Sequence, residues 1–222
     1  FVKSGIAAEK KTRVIPGEGV DMDFFSPKKK ASTKTPSFLL VARIVADKGV
    51  RDFVAASRIL KWKKIPCECR LLGAFDDYPN AITPDEVSEW EREGAVKYLG
   101  VTNDVRGAIA KADCVVLPSA YREGVPRSLM EGASMERPLI ATDIAGCRDV
   151  VRDGVNGFLC RPRDPESLAS AMKRFIDLKS AKRDAMGRNG RNMVRREFDE
   201  TIIAKIYRDV IDELCIGQQN GI

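Results

Sequence analysis

Residues 112–142 read ADCVVLPSAYREGVPRSLMEGASMERPLIAT, and this stretch decides the fold. DCVVLP (113–118) is a short apolar run with the composition of a strand. PRSLMEGASM (126–135) is a helix whose Pro126 sits where a missing N–H costs nothing, and PLIAT (138–142) is a second strand. Strand, helix and strand joined by short loops predict a parallel pair with the helix across one face. The same alternation extends in both directions. Upstream, FLLVARI (38–44) reads as a buried strand, and residues 48–61 have the helical period, with Val50, Phe53, Val54 and Leu60 apolar. CECRLLG (67–73) is a strand ending on Gly73, followed by a loop (75–84), the charged helix DEVSEWERE and the strand AVKYLG (95–100). Asn103 or Asp104 is placed to cap the helix DVRGAIAKA. Downstream, GFLCR (157–161) completes the strands, and helices follow at 165–177, 181–197 and 201–214, with a polar, fraying tail after Gly217.

The expectation is a doubly wound α/β domain with a Rossmann-like parallel sheet over residues 37–198. It is preceded by an opening segment, 1–36, and closed by a helix and tail, 199–222. The opening segment carries a short extended piece, VIP (14–16), and a flexible loop from 28 to 36.

Composition excludes several classes of function. The formal charge of +6 is mild, 38 basic residues being offset by 32 acidic ones. Clusters such as Lys28, Lys29 and Lys30, or Lys61, Lys63 and Lys64, read as solvated surface, with attraction to anionic lipid or phosphate as the minor alternative. They are not interleaved with aromatics, so nucleic acid is not expected as a partner. The chain has no histidine, which removes His-based triads and the usual zinc sites within it. Its six cysteines form no C-x-x-C pair and read as reduced thiols of a cytosolic protein. No run approaches the roughly 20 apolar residues of a membrane span. The chain opens on Phe1 rather than Met, from which a fragment of a longer protein is expected.

In an open parallel sheet, ligands collect outside the carboxyl ends of the strands. Arg43 and Lys48, in VARIVADKG (41–49), fall at that edge and suit a diphosphate, one as a planar fork and the other as a point charge. Glu123 lies in the loop before the 126–135 helix and Glu131 on its second turn. Backbone amides from Gly124 to Ser128 offer donors at that helix start, and a carboxylate beside them suits a polyol. The plainer alternatives are ordinary surface cations, a Glu123 that caps the helix and a solvated Glu131.

The ordered series VIPGEGVD, VARIVADKG, LLGAF, VKYLGVTNDV and ADCVVLPSAYREGVPRSLMEGASMERPLIATDIAGCRDVVRDGVNGFLC resembles the carboxyl-terminal, donor-binding domain of family-4 glycosyltransferases of the GT-B fold. The Glu-x7-Glu element formed by Glu123 and Glu131 is its most specific part. The resemblance implies that Arg43 and Lys48 bind the diphosphate. It implies that Glu123 contacts the transferred sugar, with the backbone of Gly124, Val125 and Pro126 near the sugar hydroxyls. Arg127 and Ser128 then face the phosphate, Glu131 holds the ribose, and Gly73, Leu99 and Val101 border the nucleobase slot. Glu136-Arg137 and Ala74 depart from the family's pattern, the latter leaving the base preference open. The family's amino-terminal domain, which carries the acceptor site, has no counterpart here, so this chain alone is expected to be inactive.

The implied reaction is transfer of a sugar from a nucleoside diphosphate sugar to a hydroxyl, with retention. The nearest likeness is to bacterial enzymes extending lipid-linked or capsular glycans. This implies a UDP-sugar donor, an N-acetylhexosamine being one option, at the cytoplasmic face of the membrane. No cofactor is expected. Asp21 and Asp23 lie in the opening turn rather than in a metal-binding loop, so no divalent ion is expected either. A non-catalytic nucleotide-binding module is the competing class; it would need Arg43, Lys48 and Glu131 but no sugar-facing Glu123.

Overall fold

The computed structural model describes residues 2, 4–9, 12–28, 35–76, 81–121 and 124–219, the side chains as far as residue 215. Among the described residues six strands form one sheet: β1 Ser37–Val41, β2 Glu68–Leu72, β3 Lys97–Tyr98, β4 Cys114–Leu117, β5 Leu139–Thr142 and β6 Gly157–Cys160. Their order is β3-β2-β1-β4-β5-β6, and every neighbouring pair is parallel. The chain therefore winds outward from β1, returns to its other side at β4 and winds outward again. The reversal lies between β1 and β4, where a crevice opens at the carboxyl ends of an open α/β sheet.

Burial on both faces explains the apolar runs of β1, β4, β5 and β6, since successive side chains point to opposite faces. Phe38 and Leu40 of β1, with Cys114 and Val116 of β4, enter one core; Leu39, Val115 and Leu117 enter the other. The first core is covered by α1 Val50–Trp62, α2 Pro84–Arg92 and α6 Pro165–Ile176, where Phe38 and Phe175 meet edge to face at 5.6 Å. The second is covered by α3 Arg106–Lys111, α4 Arg127–Ser134, α5 Ala145–Val150 and part of α7 Ser180–Glu197. Each large apolar side chain fully buried this way contributes about 1.5–3 kcal/mol. The last helix, α8, spans Glu200–Gln219.

The opening segment joins the second core through Val20, Met22 and Phe25. Val20 forms a parallel bridge with Asp199: its amide donates to Phe198 O at 2.9 Å, and its carbonyl accepts from Glu200 N at 3.2 Å. The carbonyl of Phe25 accepts from the Ser134 hydroxyl at 2.8 Å.

Several expected boundaries shift. The first strand stops at Val41 rather than continuing to residue 44, because the chain turns there; Ile44 makes only an isolated bridge to Phe75. A 3-10 turn, Ala46–Lys48, precedes α1, and Gly49 separates the two in the left-handed conformation. The strand expected over 95–100 shrinks to two residues. Neither Asn103 nor Asp104 is the N-cap of α3: that position is Val105, and Asp104 instead accepts from the amide and guanidinium of Arg106. Pro126 stands one position before the first turn of α4, as its N-cap. Helix α5 was not anticipated from the sequence, and α8 stays helical through Gln219 where fraying was expected after Gly217. VIP forms no strand. Most of the loop expected over 28–36 lies outside the described residues.

Candidate functional site

The loops after β1 and β4 are locked together by backbone. Gly49 has φ +72°, and a Cβ on it would lie 1.9 Å from the Pro118 carbonyl oxygen, so only glycine lets α1 start against the end of β4. The Asp47 carbonyl accepts from Ala120 N at 2.9 Å and from the Ser119 hydroxyl at 3.0 Å. The Thr142 hydroxyl donates to Ser119 O at 2.6 Å, tying β5 to the same place. Arg43 and Lys48 are thereby held on the carboxyl edge beside the strand reversal. The Arg43 guanidinium is exposed and pairs with Asp76 of the loop after β2, a partner that sequence reading did not supply. Gly73 packs under Ala42: a Cβ there would lie 1.8 Å from the Ala42 carbonyl oxygen. Its amide donates to Gly100 O at 3.0 Å and its carbonyl accepts from the Tyr98 hydroxyl at 2.8 Å. These bonds place Gly73 between the half-exposed Leu99 and the exposed Val101 on one side and Arg43 on the other.

Across the reversal, α4 presents the second group. Arg127 and Ser128 occupy its first two positions, where a helix has no internal acceptor for its N–H groups, and no acidic residue stands in that turn. Glu131 is 9% exposed. Burial raises its pKa above the ordinary carboxylate range, and the Arg127 guanidinium beside it partly offsets that rise. The Arg127 Nε stands 3.6 Å from Glu131 Oε1, while another of its nitrogens, Nη1, lies 3.4 Å from Glu18 Oε2 of the opening segment. Arg127 is thus turned towards two carboxylates, not outward to an anion.

Glu131 and Arg127 wall a cavity of about 490 Å³ between the opening segment, residues 103–105, α4 and the start of α8. Among the described residues its charged lining is lopsided: Glu18, Asp21, Asp104, Glu131 and Glu200 face it against Arg127. Asp104 is held down at about 2, chiefly by its hydrogen bonds from Arg106. Such a wall favours hydroxyl and N–H donors over phosphate. No group of three or more side chains that could hold a metal ion occurs among the described residues.

The structure therefore brings Arg43, Lys48, Gly73, Leu99 and Val101 together on the loops after β1 to β3. Arg127, Ser128 and Glu131 stand on the helix after β4, with Gly124, Val125 and Pro126 leading into it. Arg43 and Lys48 do not line the cavity that Glu131 walls. Glu123 lies outside the described residues. Sequence reading missed Glu18 and Asp76; IPGEGVD stood out as a motif, but nothing in it indicated that Glu18 reaches α4.

The family model described as "Glycosyl transferases group 1" matches residues 35–177. N,N'-diacetylbacillosaminyl-diphospho-undecaprenol alpha-1,3-N-acetylgalactosaminyltransferase of Campylobacter jejuni is 26% identical over 96% of this chain and 57% of its own length. UDP-Gal:alpha-D-GlcNAc-diphosphoundecaprenol alpha-1,3-galactosyltransferase of Escherichia coli is 28% identical over 93% of this chain and 54% of its own. The chain spans little more than half the length of these relatives. Among solved structures, Anabaena Alr3699/HepE, determined in complex with UDP, superposes with a TM-score of 0.77 at 21% identity, over 96% of this chain and 60% of that one. The doubly wound sheet is thus the fold of known GT-B glycosyltransferases. No helix among the described residues is long and apolar enough to cross a membrane.

Proposed function

This chain belongs to the glycosyl transferases group 1 family, and on that premise we propose that it is the donor-binding domain of a retaining glycosyltransferase. The whole enzyme moves a sugar from a nucleoside diphosphate sugar, a UDP-sugar, to a hydroxyl of a lipid-linked or capsular glycan. The acceptor site is assigned to a second domain outside these 222 residues, and the enzyme to the cytoplasmic face of the membrane, held peripherally. The names of the two relatives support this choice: one specifies UDP-Gal, and both specify a diphospho-undecaprenol acceptor.

The observation that carries the reading is the buried Glu131 of α4 on the wall of a cavity shared with residues 103–105 and the opening segment. A carboxylate offers about four acceptor sites, and a vicinal diol such as ribose fills two of them. The acid-rich wall suits the donor groups of a nucleoside, while the diphosphate extends towards Arg43, Lys48 and the amino end of α4. There the two cations and the helix dipole stabilise the leaving diphosphate electrostatically, without a divalent ion. Arg43 must leave Asp76 to do so, and an exposed pair of this kind costs about 0–1 kcal/mol to break. Glu123, with the backbone of Gly124, Val125 and Pro126, addresses the transferred sugar, and Gly73, Leu99 and Val101 border the base.

Calorimetry of the chain with UDP-, GDP- and ADP-sugars tests the proposal. One nucleotide class, UDP, should bind selectively, and Arg43→Ala should weaken it by about 10- to 100-fold, the worth of a charged hydrogen bond. Absence of binding by every sugar nucleotide, or an unchanged affinity in Arg43→Ala, would reject it.

A further inference from the structure

Glu18 is held in place from behind and in front. Behind it, Gly19 has φ +81° and packs so closely on α8 that a Cβ would lie 2.8 Å from Glu200 Cα. Val20 is bonded on both sides to residues 198 and 200. In front, Gly17 has φ +75°, and a Cβ there would meet the Val125 side chain at 2.9 Å, in the loop leading into α4. The three residues Gly17, Glu18 and Gly19 therefore run as a strap from α8 to that loop, with no room for slack at either glycine. The Glu18 side chain is nonetheless 76% exposed, so it contributes little to packing. What it touches is the Arg127 guanidinium, at 3.4 Å, and the other side of that guanidinium is 3.6 Å from the buried Glu131.

One cation thus stands between two anions at nearly equal distance. Around Glu131 the other charged groups facing the cavity, among the described residues, are Asp21, Asp104 and Glu200, all negative. Were Glu18 neutral, the pull on Arg127 would become one-sided. The guanidinium, which presents five N–H donors in a rigid fork, would close on Glu131 and fill the acceptor sites a ligand needs. We infer that Glu18 is a positioning residue for donor binding: it shares Arg127 with Glu131 and keeps the guanidinium from closing fully on the buried carboxylate, which stays open to the hydroxyls of the nucleotide's ribose. This rests on the donor-binding reading of the same cavity. Glu18 itself touches neither donor nor reacting atoms; it acts through Arg127. Because the strap also packs on Val125, any displacement of the opening segment alters the compensation of Glu131.

The test is isothermal calorimetry of UDP binding against pH, with the wild-type chain, Glu18→Gln, and Glu18→Gln combined with Arg127→Gln. Glu18→Gln should weaken UDP binding by about 3- to 10-fold and move the acidic limb of the binding profile to lower pH, because an unshared Arg127 favours ionised Glu131. Adding Arg127→Gln should restore affinity towards wild type and move the limb back up, a recovery that a merely structural role for Glu18 would not produce. Melting curves of the three proteins should coincide within a few degrees, since Glu18 is exposed. Wild-type binding with an unchanged affinity and pH profile in Glu18→Gln would overturn the role of Glu18 and leave the donor site standing. Further weakening by the second substitution would overturn it as well. No UDP binding by the wild-type chain would remove both this role and the donor-binding reading.

Discussion

Replacing Gly49 by alanine should separate the two loads this residue carries. The left-handed backbone alone costs a side-chain-bearing residue about 1–2 kcal/mol. At φ +72° the added Cβ would also lie 1.9 Å from the Pro118 carbonyl oxygen and 2.6 Å from its carbon, and that obstacle is backbone, not the end of a flexible side chain. Forcing the two loops apart adds about 1–3 kcal/mol of overpacking strain. The total, about 2–5 kcal/mol, corresponds to a Tm lower by roughly 10 °C in a chain of this size. Gly154 supplies the control: its φ is +75°, but an added Cβ would meet nothing within 4 Å. Gly154→Ala should therefore show the conformational cost alone, a Tm lower by about 3 °C. Thermal denaturation of both variants, followed by circular dichroism, measures the difference. UDP affinity should fall in Gly49→Ala, as Lys48 is displaced, and stay unchanged in Gly154→Ala. Equal losses of Tm in the two variants would refute the close-approach reasoning.

Glu131→Gln should trade stability against binding. Burial raises the Glu131 pKa in the folded chain, so the folded state binds more protons than the unfolded state, and stability falls as pH rises from the ordinary carboxylate range through the raised value. Above that range the glutamine variant should melt at an equal or higher temperature than wild type while UDP affinity drops at least several-fold; a lower Tm together with intact affinity would contradict this. Alkylation of the native chain with iodoacetamide, read by peptide mass spectrometry, should label exposed Cys215 early and half-buried Cys67, whose pKa is drawn down by the Cys69 thiol, next. Cys114 and Cys147, fully buried, and Cys160, pushed up to about 12, should stay unlabelled until the chain unfolds.

The sheet was legible because its strands are apolar on both faces. DCVVLP and PLIAT leave no alternative but burial, and α1 carries the 3.6-residue period over several turns through Val50, Phe53, Val54 and Leu60. Helix α5 escaped notice because six residues, AGCRDV, are too few to display a period. The cap of α3 was misplaced because Asp104 finds a stronger partner in the Arg106 guanidinium than in the role of an N-cap. Arg43 and Glu131 were visible as charged residues at motif spacing, but their partners were not. Asp76 lies 33 residues from Arg43, and Glu18 lies 109 from Arg127; pairings at such separations are decided by the tertiary fold and leave no local pattern to read.

The single carbonyl oxygen of Asp47, shared by an amide and a hydroxyl from the far side of the strand reversal, carries a thermodynamic consequence. Two loops that would otherwise wander separately move as one body, so a molecule bridging them meets a rim whose freezing was completed when the chain folded. The entropy that an open rim would surrender at each binding event has already been given up, and more of the contact enthalpy survives as affinity.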